Sequence, residues 1–262
     1  MARFCALFSG SSANSTYIGY GNNGIIIDAG ASFASLNSEC EKKGINLNNI
    51  SAVFVTHTHS DHIKGLKTLL KKLNIPVIAS ENTLKTLGDL NVLAPNTKAI
   101  PITNAPLEIN GVCASFFETS HDSLGSGGYS FLLPDGTKIS VCTDLGVITP
   151  AVHNALVGSN LVMLESNHDI KMLKNGPYPA ELKLRIMGEK GHLSNNICAA
   201  ELKNLFSSGT NRFVLGHLSR HNNTPLLATA ATTGALLDYG AKQGSDYVLN
   251  VAAPCGNEVI YL

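Results

Sequence analysis

Four side chains able to bind a metal crowd into six positions of one short segment, Thr56-His57-Thr58-His59-Ser60-Asp61-His62. In extended chain alternate residues share a side, so His57 and His59 can grip one ion. A turn into a helix then carries Asp61 and His62 towards a second. A lone histidine is more often a satisfied core or surface residue than a ligand. Three histidines and an aspartate at this spacing leave that plain reading little room.

Such a cluster needs elements that hold it in place. The run 50–55, Ile-Ser-Ala-Val-Phe-Val, is rich in β-branched residues and reads as a strand buried on both faces. After the cluster, Ile63, Leu66, Leu70 and Leu73 recur at helical spacing, while Lys64, Lys67, Lys71 and Lys72 fall mostly elsewhere on the wheel. One amphipathic helix with a solvated lysine face follows from that pattern. Upstream, strands over 3–8, 16–20 and 24–28 form a meander, with a helix near 32–43. Downstream, a helix near 81–87 and strands around 99, 112–117, 129–133 and 138–141 lead to a helix reaching 157. Then come a strand over 161–165, a long connection, a helix over 195–206, a strand over 213–215, a helix over 225–239 and closing strands over 247–251 and 258–261. Strands in both halves with helices outside imply an α/β fold, an αββα sandwich occupying 1–262 as one domain.

The 262 residues, 44% of them hydrophobic, suffice for a large core, and the formal net charge of zero means that any nucleic-acid contact must come from a local basic surface. No stretch reaches the roughly 18 apolar residues of a membrane span, and the start lacks a signal-peptide pattern, so the chain is expected in the cytoplasm with no membrane partner. The six cysteines are scattered singly, which favours reduced thiols over disulfides.

His-Thr-His-Ser-Asp-His resembles the HxHxDH signature of the metallo-β-lactamase superfamily, and other motifs follow in the matching order. Asp28, closing Gly-Ile-Ile-Ile-Asp-Ala-Gly, resembles the acid that supports the metal loop; His121, Asp144 and His217 resemble the remaining ligands. The resemblance implies that His57, His59 and His121 hold one metal, that Asp61, His62 and His217 hold the other, and that Asp144 bridges them. Imidazole and carboxylate donors suit zinc, manganese or iron. Two divalent ions roughly 3.5 to 4 Å apart can share a hydroxide nucleophile and stabilise the reacting oxygens. Asp61 thereby counts among the catalytic residues. His59, where the flavodiiron branch has a glutamate, argues against oxidoreductase chemistry.

Two later motifs narrow the reaction. Glu165, in Leu-Glu-Ser-Asn-His-Asp, and His192, in Gly-His-Leu-Ser-Asn, match a glutamate and histidine that in ribonuclease Z-type phosphodiesterases protonate the leaving oxygen. An imidazolium whose other nitrogen is held by a carboxylate is a suitable acid. The competing reading has His192 merely preceding a helix capped by Ser194 or Asn195. Together with Ser-Gly-Ser-Ser-Ala-Asn-Ser over 9–15, these motifs are most similar to the YycJ (WalJ) family, which implies a DNA exonuclease acting from the 5′ end; Ala13 departs from that family's Gly-Ser-Ser-Gly-Asn pattern. Asn167, His168, Lys183 and Arg185 are candidate substrate contacts, with Tyr178 as a stacking surface, and a solvated amphipathic cover is the alternative for that segment. The 9–15 loop could offer N–H groups to a phosphate or be a plain turn. A hydrolase of a small or cyclic phosphodiester, a thioester or lactam hydrolase, and a non-catalytic metal-binding regulatory protein are the competing functions. Oligomeric state is left open.

Overall fold

The first sheet opens with a meander, β1 (Ala2–Phe8), β2 (Ser15–Tyr20) and β3 (Asn23–Ile27), in the computed structural model, which describes residues 1–262. Helix α1 (Phe33–Lys42), whose first turn is capped by the Ser32 hydroxyl, returns the chain to β4 (Ile50–Phe54). The short α2 (Ser60–Ile63), then α3 (Leu66–Leu73), β5 (Val77–Ala79), α4 (Glu81–Asp89) and β6 (Ala99–Pro101) complete this half.

The second sheet begins with β7 (Leu107–Ile109), β8 (Val112–Glu118), β9 (Gly127–Leu132) and β10 (Lys138–Cys142). Then α5 (Pro150–Leu156), β11 (Leu161–Glu165), α6 (Ile170–Asn175), α7 (Ala180–Met187), α8 (Asn195–Ser207), β12 (Arg212–Gly216), α9 (Pro225–Asp238) and β13 (Val248–Val251) follow. The last strand, β14 (Ile260–Tyr261), crosses back to pair with β1. The two seven-stranded sheets run β14-β1-β2-β3-β4-β5-β6 and β13-β12-β11-β10-β9-β8-β7.

Alternation along single strands shows why the runs are continuously apolar. Ile25 and Ile27 join Phe4, Phe54, Tyr129, Phe131 and Met163 between the sheets, whereas Ile26 faces Leu36, Leu66 and Leu69 of the covering helices. In β12, Val214 enters the inter-sheet core, and Phe213 and Leu215 pack under α8 and α9 with Leu202 and Leu236. Two sheets between two helical layers form the expected αββα sandwich. All six cysteines are free, and no helix is long and apolar enough to cross a membrane.

Three local expectations need correction. The single helix after the metal motif is broken into α2 and α3 at Gly65, whose N–H donates to Ala29 O and where a Cβ would lie 2.0 Å from Ala31 O. The close approach of the β3–α1 loop overrides helical periodicity there. The connection between β11 and α8 holds two helices, α6 and α7, neither of which projects a strong apolar stripe into the core. Strands β5 and β7, each three residues long, are too short to give a period in the sequence, and β7 is also only half-buried.

Candidate active site

Parallel strands β3, β4, β10, β11 and β12 end at one edge of the sandwich, and the chemistry-bearing residues follow them directly. Asp28 comes after β3, the His57–His62 segment after β4, Asp144 after β10 and His217 after β12; Glu165 is the last residue of β11. His121 follows β8. Asp28, Asp144 and His217 leave their strands with φ of 60°, 61° and 54°, a left-handed turn that re-aims each side chain.

Asp28 lies behind the cluster. Its Oδ1 accepts from Thr56 N and its Oδ2 from Thr56 Oγ1, both at 2.8 Å, and Oδ2 faces His62 Nδ1 at 2.7 Å. The carboxylate thus braces the loop and fixes His62 with Nε2 turned towards Asp61 and Asp144, at 3.5 and 3.4 Å. Tyr129 Oη donates to Val55 O at 2.7 Å and anchors the end of the preceding strand.

Ligand atoms converge in overlapping sets: His57, His59 and His121; Asp61, His62 and His217; and His57, His62 and Asp144, each set within 4.8 Å. His57 Nε2, Asp144 Oδ2 and His217 Nε2 are buried without a hydrogen-bond partner. Buried polar atoms are otherwise paired at high frequency. Three such atoms at the centre of one cluster, on nitrogen and carboxylate donors, fit a divalent metal site. Burial and the neighbouring imidazoles hold His57 well below its usual pKa, leaving it a neutral donor. Burial opposes the charge on His62, but Asp144, Asp28 and Asp61 outweigh it and lift its pKa to about 9. Burial likewise opposes ionisation of Asp61, yet His217 and His62 hold its carboxyl at about 2.

Glu165 is wholly buried and shared. Its Oε1 meets His192 Nδ1 at 2.9 Å and His217 Nδ1 at 2.7 Å, while Oε2 accepts from Leu193 N at 2.9 Å. One carboxylate therefore orients both the candidate acid and a candidate metal ligand. His192 has its ring 5.2 Å from that of His121 and 5.3 Å from that of His217. Burial would lower its pKa, but the charge and hydrogen bond of Glu165 win, and it is raised. Ser194 caps α8 from the next turn of chain, so the helix start has its own cap without His192.

A cavity of about 250 Å³ opens over this edge and is lined by Asp61, His121, Asp144, His192 and His217 on one side and by α7 on the other. Asn167 and Arg185 reach it. Arg185 is paired through Nε and Nη2 with Asp122, at 2.6 and 2.5 Å. His168 and Lys183 are not brought to the cavity: His168 is buried behind it, and Lys183 Nζ donates to Lys174 O at the end of α6. The 9–15 loop serves as a brace. Ser9 Oγ accepts from His217 N, and Asn14 Nδ2 donates to Asp61 Oδ2 at 3.1 Å. Nothing local in the sequence marks Asn14 or Asp122, whose partners Asp61 and Arg185 lie 47 and 63 residues along the chain; the only signals are that Asn14 sits in the 9–15 motif and Asp122 adjoins His121.

The fold and this cluster together define a metal-dependent hydrolase, and a family model for the β-lactamase superfamily domain matches residues 23–218. The chain belongs to that family. It is 31% identical over 252 residues to the exodeoxyribonuclease YycJ of Bacillus anthracis, covering 96% of this chain and 95% of the relative. With the exodeoxyribonuclease WalJ of Streptococcus pneumoniae it shares 28% identity, over 96% of this chain and 94% of that one. The metallo-β-lactamase fold protein YhfI from Bacillus subtilis superposes with a TM-score of 0.73 at 14% identity, covering 99% and 98% of the two chains.

Proposed function

We propose that the protein is a phosphodiesterase acting on nucleic acid, with DNA as substrate and attack proceeding from the 5′ end. The observation that carries the phosphodiester reading is the His192–Glu165 pair at 2.9 Å, directed into the same cavity as the metal cluster. Similarity over nearly the full length to two relatives named exodeoxyribonucleases supports DNA.

His57, His59 and His121 would hold one ion, Asp61, His62 and His217 a second, with Asp144 between them. Bound divalent ions supply Lewis acidity and a nucleophilic water at neutral pH. The chain's own residues do the rest. Asp28 and Glu165 orient His62 and His217 through their Nδ1 atoms. His192, protonated and held by Glu165, gives its proton to the departing oxygen of the phosphodiester, and Glu165 stabilises the charged imidazole beforehand.

Two measurements test this. Metal-loaded protein is incubated with end-labelled single- and double-stranded DNA and RNA; shortening of DNA from the 5′ end is expected, and cleavage confined to small or cyclic diesters would overturn the nucleic-acid reading. His192→Ala should retain metal and lose about 10² to 10⁴-fold in turnover on an alkoxide leaving group. That loss should shrink on a p-nitrophenyl diester, whose leaving group departs unprotonated. Equal losses on both, or loss of metal, would return His192 to a structural or ligand role.

A further inference from the structure

Across the cavity from the metal cluster, Leu182 and Ile186, four residues apart, share one face of α7, and Tyr178, from the turn before that helix, lines the same cavity. All three line the cavity and are half-buried, although α7 buries no residue fully. An apolar strip beside a cluster of charged ligands has no role in binding metal or moving a proton. Nor is it a loose flap. His192 N donates to Ile186 O at 2.9 Å, and a Cβ on Gly191 would lie 2.2 Å from that same Ile186 O, so the helix end abuts the residue that carries the acid. The other edge of α7 is tied by Arg185 to Asp122, and the Tyr178 ring meets His221 edge-on at 5.9 Å.

From this geometry we infer that Tyr178, Leu182 and Ile186 form a binding face for one unpaired nucleobase, that of the nucleotide carrying the leaving oxygen. The inference rests on the phosphodiesterase reading above and names the form of substrate it takes. A phosphodiester seated at the metal cluster places its leaving oxygen at His192, and the backbone link from His192 to Ile186 puts the attached nucleotide against α7. A flat, largely apolar ring matches that strip, and aromatic stacking tolerates any base. The cavity, at about 250 Å³, lies just below the roughly 300 to 1,000 Å³ of typical small-molecule pockets, a scale that suits one nucleotide. Lys190, which also lines the cavity, supplies positive charge for the trailing backbone, whereas Arg185 is already paired with Asp122.

The test compares metal-loaded wild type, Tyr178→Ala and Tyr178→Phe on single-stranded oligonucleotides. One is unmodified, one carries a tetrahydrofuran abasic residue on the leaving side of the cleaved bond, and one carries it on the other side. For wild type, the leaving-side abasic residue should lower kcat/KM on the order of 10- to 100-fold, and the other should cost much less. Tyr178→Ala should lose a similar factor on the unmodified strand and little more on the leaving-side abasic strand, while Tyr178→Phe retains activity. A GC-clamped blunt duplex should be cut more slowly than the same sequence unpaired. Metal content reports that each variant has folded. Indifference to the abasic residue, or equal losses by Tyr178→Ala on both strands, would overturn the base-binding face and leave the nuclease reading standing. If no oligonucleotide is cut while small diesters are, both fall.

Discussion

At the sheet edge, four of the seven candidate ligands are each braced by a second group. His62 has Asp28, His217 has Glu165, Asp61 has Asn14, and His121 Nδ1 faces Gly191 O at 3.3 Å. Across the cavity, α7 buries no residue fully, leaves Leu184 68% exposed, and is tied by one ion pair and its C-terminal turn. The first region sets the chemistry, through donors whose positions are over-determined. The second can vary in side chain with little cost to the fold, and is where substrate choice can be altered separately from catalysis.

The largest effect that could break this contrast comes from the ligands. His59→Ala or Asp61→Ala should abolish hydrolysis together with metal binding, read by metal analysis of the purified variants. Normal turnover with metal retained in either would remove the centre from the mechanism.

Glu165→Gln sharpens the comparison, because the carboxylate touches both an acid and a ligand. It should weaken metal binding about 10- to 100-fold, measured by calorimetry, and should also reduce the leaving-group discrimination that His192 confers. An effect on leaving groups with metal affinity unchanged would confine Glu165 to His192.

Metal affinity should also depend on pH. Burial opposes the charge on both His62 and His217, but the facing carboxylates outweigh it: Asp144, Asp28 and Asp61 lift His62 to about 9, and Asp144, Asp61 and Glu165 hold His217 well above its usual value. Protons must leave as metal enters, so affinity should fall as the pH is lowered from about 9 through neutrality. Calorimetry in buffers of different ionisation enthalpy should register proton release; its absence would contradict these histidines as ligands.

The smallest expected effect lies in the cover. Leu184→Ala should change stability within about 0.5 kcal/mol, whereas Leu164→Ala, in the wholly buried β11, should cost about 2 to 5 kcal/mol. Chemical denaturation of the two variants measures the difference, and a large loss at Leu184 would show α7 to be part of the core.

The same contrast governs what could be read from the sequence. The 50–62 stretch was legible because a buried strand and four donor residues are contiguous, so local period and residue type carry the information. Helices α6 and α7 were not, since Leu173 is the only fully buried residue in either and no apolar stripe advertises them. Glu165 and His192 were legible as a pair, but not the sharing of Oε1 with His217, which depends on two strands ending side by side. Arg185 read as a free cation because nothing local reveals Asp122, 63 residues away. Gly65 shows the remaining kind of failure, in which the close approach of a distant loop overrides a correct local period.

The left-handed turns at Asp28, Asp144 and His217 bear on how variants of this site are to be interpreted. A side chain held in that conformation costs on the order of 1 kcal/mol or more, least for Asp, Asn and His, whose short polar groups tolerate it. Alanine at Asp144 therefore removes a donor and adds backbone strain, so a damaged fold and a lost ligand become confounded. Asparagine keeps the turn while changing the charge, and glycine relieves the strain altogether. A glycine variant that unfolds at a higher temperature than the parent while binding no metal would expose a trade between activity and stability, located in three peptide units at the ends of three strands.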